Sequence, residues 1–402
     1  MITRRQLALA SALQAAAWTP FTANAASTAA NGLPPRAAPV LAVGPRRPVT
    51  SLRDAARLAP PGSVIEVDAG DYPGDVAVWT QDDVTLRAVG GRVRLPADGH
   101  AAEGKGIWVV RARRMRVEGF DFENARVRDR NGAGIRLDKG SLHVRDCRFL
   151  HNEMGLLTNN DPDTELQVEN CEFGFNQRPD GHNHNLYAGR IARLTVTGSY
   201  FHHARSGHLL KSRAEVNVIR YNRLTDEAGG SASYELEFPD GGLAVVVGNI
   251  VAQSPDTDNR HLISFGAESY AWQRNALYLA HNTLVDPLAW GGIFVRVADG
   301  ASTVAMVNNL LVGRGSLHVR AGFTERNNLR AHPQDFVDMH RHDYRLRETS
   351  HLVGLAENPG SIDGMALRPT HEYRHPCDTQ RLSRLTHNPG ATQSVAPAIP
   401  VR

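Results

Sequence analysis

The sequence predicts an all-β fold, a single parallel β-helix of about eight to ten coils, for most of its 402 residues. One six-residue pattern recurs eight times: an apolar residue, two variable positions, a small or polar residue, a variable position and an apolar residue. Successive copies begin 23 to 33 residues apart, a spacing that is typical of solenoids. The 36 glycines and the 6% content of aromatic residues also favour a β protein rich in turns.

The eight copies occupy residues 117–122, 144–149, 168–173, 196–201, 219–224, 246–251, 279–284 and 306–311. From the second copy onward their fourth position holds Cys147, Cys171, Ser199, Asn222, Asn249, Asn282 and Asn309. Small polar side chains stacked at every bend would hydrogen-bond along the solenoid axis and satisfy polar groups that are buried there. A second alternating segment follows each copy after a variable loop, with no helical segment between them. This order favours a β-helix over a leucine-rich or propeller repeat.

The first element of the predicted domain is a short helix at residues 51–58. Ser51 is a favoured N-cap, and Pro60, Pro61 and Gly62 end the helix. The segment that follows, 64–67, alternates like a strand. We therefore expect a capping helix over the first coil of the β-helix.

Residues 1–25 show the three regions of a cleaved export signal. Arg4 and Arg5 lie in a charged start, an alanine-rich apolar run follows, and the small residues at 23–25 suit cleavage. The arginine pair is typical of the twin-arginine pathway; a plain disordered N-terminus is the alternative. Residues 26–47 are expected to be a flexible lead-in, and the mature protein is expected in the periplasm or outside the cell.

The near-zero net charge argues against a nucleic-acid partner. The 45 basic and 42 acidic residues nearly cancel, and no basic run is interleaved with aromatic residues, so we expect no nucleic-acid partner. No segment reaches the length of a membrane span. Three cysteines in an exported chain do not make a disulfide scaffold, and we expect a monomer stabilised by its core.

Several features together resemble one known superfamily. The capping helix, the entry segment IEVDAGDY at 65–72, the repeated coils and the exit segment DYRLRETSHLVG at 343–354 are similar to the right-handed parallel β-helix proteins of the pectate-lyase-like superfamily. The resemblance covers roughly residues 48–360 and implies a right-handed β-helix there. Residues 361–402 are then expected to form an irregular extension along the outside or over the end.

Alternation along the second segments predicts a polar strip on one face of the solenoid. If Leu210, Leu236 and Val295 point inward, the neighbouring positions point outward. The predicted strip contains Tyr187, Lys211, Glu235, Glu237 and Arg296. Loops or strand ends on the same side are expected to bring further polar residues near it: His182, His184, Asn185, His202, His203, Arg205, His208, Arg213 and Asp240.

This set of side chains suits β-elimination on an acidic polysaccharide. Elimination at a uronic acid needs a partner for the C6 carboxylate, a base for the C5 proton and an acid for the leaving oxygen. We expect Lys211 to be the base if its surroundings lower its pKa. Tyr187 or a histidine would be the acid, and Arg213 or His208 the carboxylate partner.

The strand that carries Lys211 and Ser212 resembles that of the alginate- and chondroitin-cleaving β-helix lyases, and the resemblance implies a catalytic role for Lys211 alone. In that group a catalytic arginine lies on the following coil, where this chain has Glu235, Leu236 and Glu237. The group also has acidic calcium ligands shortly before the lysine, where this chain has residues 204–206, Ala-Arg-Ser. Ca²⁺ therefore stays open as a cofactor, with the glutamates as alternative cation ligands.

Two other functions stay open at this point. One is a glycoside hydrolase that uses Glu235, Glu237 or Asp240, whose carboxyl separation would decide between retaining and inverting chemistry. The other is a β-helix that binds carbohydrate, or serves as an envelope scaffold, without catalysis. In that case Lys211 would belong to a ladder of surface ion pairs, and the histidines would be solvated turn residues.

Cys147 and Cys171 occupy one column, one coil apart, and two states are open for them. Their expected separation is within the range for a disulfide. Stacked parallel neighbours point their Cβ atoms the same way, however, so we expect buried free thiols.

Overall fold

The computed structural model describes residues 38–178, 180–319, 323–384 and 386–396, and it confirms a parallel β-helix of about ten coils. A regular coil contributes three short strands, so the strands form three stacks, named A, B and C here. Stacks A and B are joined into one sheet through the long strand Val84–Pro96, which pairs with members of both. Stack C is a separate sheet of ten strands.

Stack A consists of Val40–Val43, Val64–Asp71, Val84–Pro96, Arg114–Glu118, Ser141–Arg145, Asp161–Glu169, Ile191–Thr197, Val216–Arg220, Leu243–Val247, Ala276–Ala280, Thr303–Val307 and Phe323–Arg326. Stack B consists of Phe120–Glu123, Arg148–Leu150, Glu172–Gly174, Tyr200–His202, Arg223–Thr225, Ile250–Ala252, Thr283–Asp286, Leu310–Gly313 and Leu329–Ala331. Stack C consists of Ala77–Trp79, Gly106–Val110, Ala133–Leu137, Met154–Thr158, His184–Ala188, His208–Ser212, Tyr234–Phe238, His261–Phe265, Ile293–Val297 and Ser316–His318.

The remaining elements lie outside the three stacks. They are the α-helix Leu52–Leu58, the 3₁₀ helices Pro333–Asp335 and Met339–Arg341, and the strands Phe336–Asp338, Asp343–Arg347, Ser361–Ile362, Met365–Ala366, His371–Arg374, Asp378–Arg381 and Val395–Ala396. The described part of the chain contains no helix with the length and hydropathy that a membrane crossing requires.

The predicted polar ladder runs along the bend between stacks A and B. The Asn222 backbone N–H and Nδ2 both donate to Asn249 Oδ1, at 2.9 and 3.0 Å, and Nδ2 also donates to a backbone carbonyl of the preceding coil. The same three bonds repeat from Asn249 to Asn282 and from Asn282 to Asn309. Asn328 adds one more step than the sequence pattern predicted. The ladder thus ties each coil to the next at a fixed register.

Aromatic side chains fill the interior of the early coils. Phe122, Phe149, Phe173 and Phe201 stack with ring centroids 4.7 to 5.1 Å apart, and all four are fully buried. Apolar residues continue this column into the later coils, from Leu224 onward. This continuous core explains how a chain whose three cysteines are all free in the structure holds a long solenoid together.

The N-terminal cap is as predicted. Ser51 Oγ accepts a hydrogen bond from the Asp54 backbone N–H at 3.1 Å, and Leu52 and Ala55 pack into the core. The β-helix starts earlier than residue 48, however, because Val40–Val43 pairs in parallel with the next strand of stack A. The predicted signal at 1–25 and the lead-in up to residue 37 lie outside the described residues.

The described residues of the C-terminal extension run along the outside of the β-helix. This is one of the two placements that the sequence left open; the other was over the end. The Gly390 backbone N–H donates to Asn308 O, and the Ala391 N–H donates to Thr283 Oγ1. The extension also forms two short hairpins. Cys147 and Cys171 are buried free thiols, as expected, and their sulfurs point at backbone carbonyls.

Replacement of a ladder asparagine should destabilise the fold strongly. Asn249→Ala removes the acceptor of two Asn222 donors and the Nδ2 group that donates to the Ile219 carbonyl and to Asn282 Oδ1, all in a buried bend. This loss should lower the free energy of unfolding by about 2 to 4 kcal/mol. Urea denaturation measures this loss. Asn249→Ser should lose less, because Ser199 fills the same column and accepts from the Cys171 N–H. Equal stability of the alanine variant and the parent would contradict the role of the ladder.

Candidate functional site

The outer face of stack C carries most of the predicted strip. Strand register places Tyr187 beside Lys211 and Lys211 beside Glu237. Ser264 and Arg296 follow on the next two coils. Adjacent members are therefore about one strand spacing, roughly 4.8 Å, apart.

Glu235 is not on this face, and the prediction that placed it there was wrong. Its side chain is fully buried, as are those of Leu209 and Phe294 in the same column. Leu209 and Leu210 both pack in the core, so strict alternation of inward and outward side chains fails in this part of the stack C strands. Burial, with the nearby Asp226 carboxylate, raises the pKa of Glu235 well above its usual value.

Five charged side chains form what we call the ion-pair network: Lys211, Arg213, Glu237, Asp240 and Glu268. Lys211 Nζ lies 3.0 Å from Glu237 Oε2 and 3.0 Å from Glu268 Oε1. Arg213 Nη1 lies 2.6 Å from Asp240 Oδ1, and its Nη2 lies 2.7 Å from Glu268 Oε2. Glu268 was missed by the sequence analysis because it lies in a loop outside the repeat, and nothing in its local sequence marks it.

Lys211 does not have the lowered pKa that a role as the base would require. Burial acts to lower the pKa of Lys211, but the adjacent carboxylates of Glu237 and Glu268 outweigh it, so the pKa lies above its usual value. Burial raises the pKa of Glu237, because the attraction of Lys211 offsets burial only in part. Lys211 is thus a protonated cation at neutral pH, suited to holding a negative charge.

Asp240 has a structural place in the network. Its side chain is 1% exposed, and it accepts from Arg190 Nε at 2.7 Å, from Arg213 Nη1 at 2.6 Å and from Ser269 Oγ at 3.1 Å. Both carboxylate oxygens are used by these donors. Asp240 therefore positions Arg213 and has no free oxygen for substrate.

Tyr187 is the half-buried phenol next to these cations. Arg213 Nε donates a hydrogen bond to Tyr187 Oη at 2.9 Å. A guanidinium in this position stabilises negative charge that develops on the phenol oxygen. The same arginine thus links the phenol to the carboxylates of Asp240 and Glu268.

Histidine and tyrosine rings form a column beside the network. The rings of His184 and His208 stack with centroids 4.6 Å apart, and His184 lies 5.4 Å from the Tyr187 ring. Burial, assisted by the positive charge of Lys211, lowers the pKa of His184 to about 3. Burial, assisted by His184, also places the pKa of His208 well below its usual value. Tyr234 and His261 continue the column onto the next two coils.

Other predicted binding residues lie elsewhere. Asn185 is fully buried; it accepts from Asn176 Nδ2 and donates to the His202 backbone carbonyl, so it is a structural residue where the chain passes from stack B to stack C. His202 is buried in stack B, where its Nε2 lies 3.3 Å from Glu172 Oε1. Its neighbour His203 stacks on the Phe175 ring. His182 is exposed in the loop before stack C.

The residues present do not form a calcium site like the one that the resemblance to the alginate- and chondroitin-cleaving lyases suggested. Among the described residues, no group of three or more His, Cys, Asp or Glu side chains is arranged to hold a metal ion. Glu235 and Glu237 do not share a site, because one is in the core and the other pairs with Lys211.

Comparison with known proteins supports the fold. No model of a known protein family matches the sequence, and no curated protein matches it. Among solved structures, the pectate lyase Pel9A superposes with a TM-score of 0.56 and 14% identity, over 82% of this chain and 94% of that one. Pectin methylesterase PemA from Erwinia chrysanthemi gives a TM-score of 0.34 and 11% identity, over 73% and 87%. At 14% identity the likeness to Pel9A shows the parallel β-helix fold alone, and the chemistry rests on the residues described above.

His184 should stay neutral through the physiological range. Its depressed pKa means that the unfolded chain binds a proton below about pH 6.5 that the folded chain refuses until about pH 3. This contribution to stability is complete above pH 6.5 and is lost as the pH falls toward 3. In histidine ring-carbon NMR spectra, the signal that His184→Gln removes should not shift between pH 8 and pH 5, whereas the urea-unfolded chain should titrate near 6.5. A folded-state midpoint near 6.5 would contradict the burial argument.

Proposed function

We propose that the protein cleaves an acidic, uronate-containing polysaccharide by β-elimination. The observation that carries this proposal is the clamp made by Lys211 and Arg213 on one carboxylate. Lys211 Nζ contacts one oxygen of Glu268 at 3.0 Å, and Arg213 Nη2 contacts the other at 2.7 Å. Two cations that hold a carboxylate in this way are suited to the C6 carboxylate of a uronic acid.

Glu268 is the member of the network that a substrate can replace. Its side chain is 48% exposed and lies in a loop, whereas those of Glu237 and Asp240 are 4% and 1% exposed. When a uronate displaces Glu268, the clamp neutralises the substrate carboxylate. Neutralisation makes the C5 proton more acidic, because the negative charge that forms beside it is stabilised.

Tyr187 is the group best placed to move the proton. In its ionised form, held by Arg213 Nε, the phenol oxygen takes the C5 proton. The electrons of the C5–H bond form the C4=C5 double bond, and the C4–O bond to the leaving sugar breaks. Tyr187 then returns its proton to the leaving oxygen, so no co-reactant is needed. Lys211, which the sequence analysis expected to be the base, thus becomes a carboxylate partner beside Arg213. Tyr187, which was expected to be the acid, serves as base and then as acid.

The two neighbouring imidazoles support this arrangement. Because His184 and His208 are neutral, they add no positive charge beside the clamp. The His184 Nδ1 atom accepts from the His208 backbone N–H at 3.2 Å, which fixes the ring that stacks near Tyr187. They therefore act as positioning residues.

Hydrolysis has weaker support from the same contacts. A glycoside hydrolase needs two carboxyl groups that flank the scissile bond. Glu235 is inside the core, and Asp240 is occupied by three donors. Of the predicted carboxyls, only Glu237 stays near the face, and Lys211 neutralises it.

A second candidate function is glycan binding without cleavage. It is favoured by one observation: every cation of the network is already paired with a carboxylate. On this alternative the clamp exchanges Glu268 for a sugar carboxylate and no bond breaks. Export through the twin-arginine-type signal would place either function in the periplasm or outside the cell.

Incubation of the full chain with a panel of uronate polysaccharides tests the reaction, with polygalacturonate first because the fold resembles a pectate lyase. Elimination should give unsaturated products that absorb in the ultraviolet. Tyr187→Phe should reduce the rate by about 10² to 10⁴, because the oxygen that transfers the proton is removed. Little stability should be lost, because Arg213 loses one acceptor and keeps its bonds to Asp240 and Glu268. Tyr234→Phe, on the neighbouring ring column, is the matched control and should keep its activity.

Three outcomes would count against the proposal. Reducing ends without ultraviolet absorbance would replace elimination by hydrolysis. Binding without any product would leave the second candidate function. Equal rates for Tyr187→Phe and the parent would remove Tyr187 from the mechanism.

Glu268→Gln should tighten the binding of acidic oligosaccharides by about tenfold, because it removes the carboxylate that competes for the clamp. Calorimetric titration with an oligouronate measures the affinity. Glu325→Gln, at an exposed position on the last coil of stack A, makes the same change in net charge and should leave the affinity nearly unchanged. Weaker binding by Glu268→Gln would show that Glu268 is a substrate ligand and not a stand-in for one.

A further inference from the structure

A pocket of about 230 Å³ lies away from the ion-pair network, and Arg126, Gln177, Arg178 and Arg205 line it. All four residues belong to loops that connect stack B to stack C. Arg126 follows the strand Phe120–Glu123, the next two follow Glu172–Gly174, and Arg205 follows Tyr200–His202. Stacking of the coils therefore gathers three guanidinium groups from distant parts of the sequence at one place.

Positive charge exceeds negative charge in this pocket. Arg126 Nη1 donates only to the backbone carbonyls of Ala125 and His151, at 2.8 and 2.7 Å. Within the described residues, the Arg205 guanidinium has no hydrogen-bond or ion-pair partner. Arg178 pairs with Asp180 at 2.9 Å, but Asp180 is shared with Arg130. The arginines thus have donors left for an anion.

A further carboxylate near these loops, that of Glu153, is already hydrogen-bonded to the backbone. Glu153 lies on the coil between those of Arg126 and Arg178, and its Oε2 accepts from the N–H groups of Val127 and Gly132. These bonds shape the loop that follows Arg126. Glu153 is therefore part of the loop scaffold.

An aromatic stack holds these loops in register. His151, Phe175 and His203 begin three successive loops in the left-handed conformation, with φ of 59°, 56° and 47°. Their rings stack with centroids 4.9 and 4.4 Å apart. Since Arg205 lies two residues after His203 and Gln177 two after Phe175, the stack fixes where the pocket residues leave the solenoid.

The pocket and the ion-pair network lie at opposite ends of the stack C strands. The loops that carry the pocket lead into the first residues of the stack C strands, such as His184 and His208. Lys211 lies near the last residue of its strand, and Arg213 and Asp240 follow the ends of theirs. A five-residue strand rises by about 13 Å. The ring column of His184 and His208, which carries no charge at neutral pH, lies between the two regions.

We propose that the arginine pocket binds a second carboxylate of the same acidic oligosaccharide whose first carboxylate enters the Lys211 and Arg213 clamp. The inference rests on the proposed function for the identity of the ligand. It adds a length requirement: a ligand must span both regions to use both, and a single sugar cannot. The substrate class is thus a polyanionic glycan of several sugars that crosses the face of stack C.

Binding of oligogalacturonates of increasing length to the full chain tests this inference, with affinity measured by calorimetry at constant ionic strength. Arg205→Gln should weaken binding of the long oligomers by about tenfold, the loss of one charge-assisted contact. It should leave the disaccharide unaffected. Arg57→Gln, at an exposed position on the capping helix, is the control for net charge. Fully methyl-esterified oligomers, which carry no carboxylate, should bind Arg205→Gln and the parent equally.

The outcomes separate this inference from the proposed reaction. A length-dependent loss in Arg205→Gln without any unsaturated product would uphold the pocket and overturn the elimination. Cleavage with the same KM in Arg205→Gln and the parent would overturn the pocket alone. Equal weakening by Arg205→Gln and Arg57→Gln, or no binding of any acidic oligomer, would also overturn it.

Discussion

The register between coils is the constraint on which the rest of the structure depends. Asparagine amides at the bend between stacks A and B donate and accept across each step, so neighbouring coils cannot slip past one another without breaking buried hydrogen bonds. A slip of one residue would turn outward side chains inward. Because the register is fixed, Tyr187, Lys211 and Glu237 are neighbours in space although more than 20 residues separate each from the next.

The same constraint explains why charge can be concentrated on this face. Lys211 and Arg213 are largely buried, and such cations are stable only with well-placed partners. Glu237 and Asp240 are the permanent partners, and Glu268 is the exposed one. Removal of Lys211 would leave a buried carboxylate unpaired, at a cost of about 3 to 5 kcal/mol. A loss of activity in such a variant could therefore come from unfolding as well as from a missing catalytic group. Tyr187 can be changed without that cost, which makes it the more informative residue.

Sequence periodicity predicted the repeat, the capping helix, the asparagine ladder and the order of Tyr187, Lys211 and Glu237, because these follow from local patterns repeated at each coil. It failed where geometry departs from the pattern. Glu235 and its neighbour Leu236 are both fully buried, and an alternating pattern cannot predict two adjacent buried side chains. His202 belongs to stack B, and Glu268 and Arg205 lie in loops of variable length. The contacts of such residues depend on the path that each loop takes in three dimensions, and the spacing of residues in the sequence does not determine that path.

The arrangement as a whole is a carboxylate clamp with a phenol beside it, held on a rigid solenoid. A structure of the Tyr187→Phe variant with an acidic oligosaccharide tests this claim most directly. A sugar carboxylate is expected between Lys211 Nζ and Arg213 Nη2, with the Glu268 side chain displaced and the C5 hydrogen facing residue 187. A saccharide bound elsewhere, with Glu268 still bridging the two cations, would contradict it.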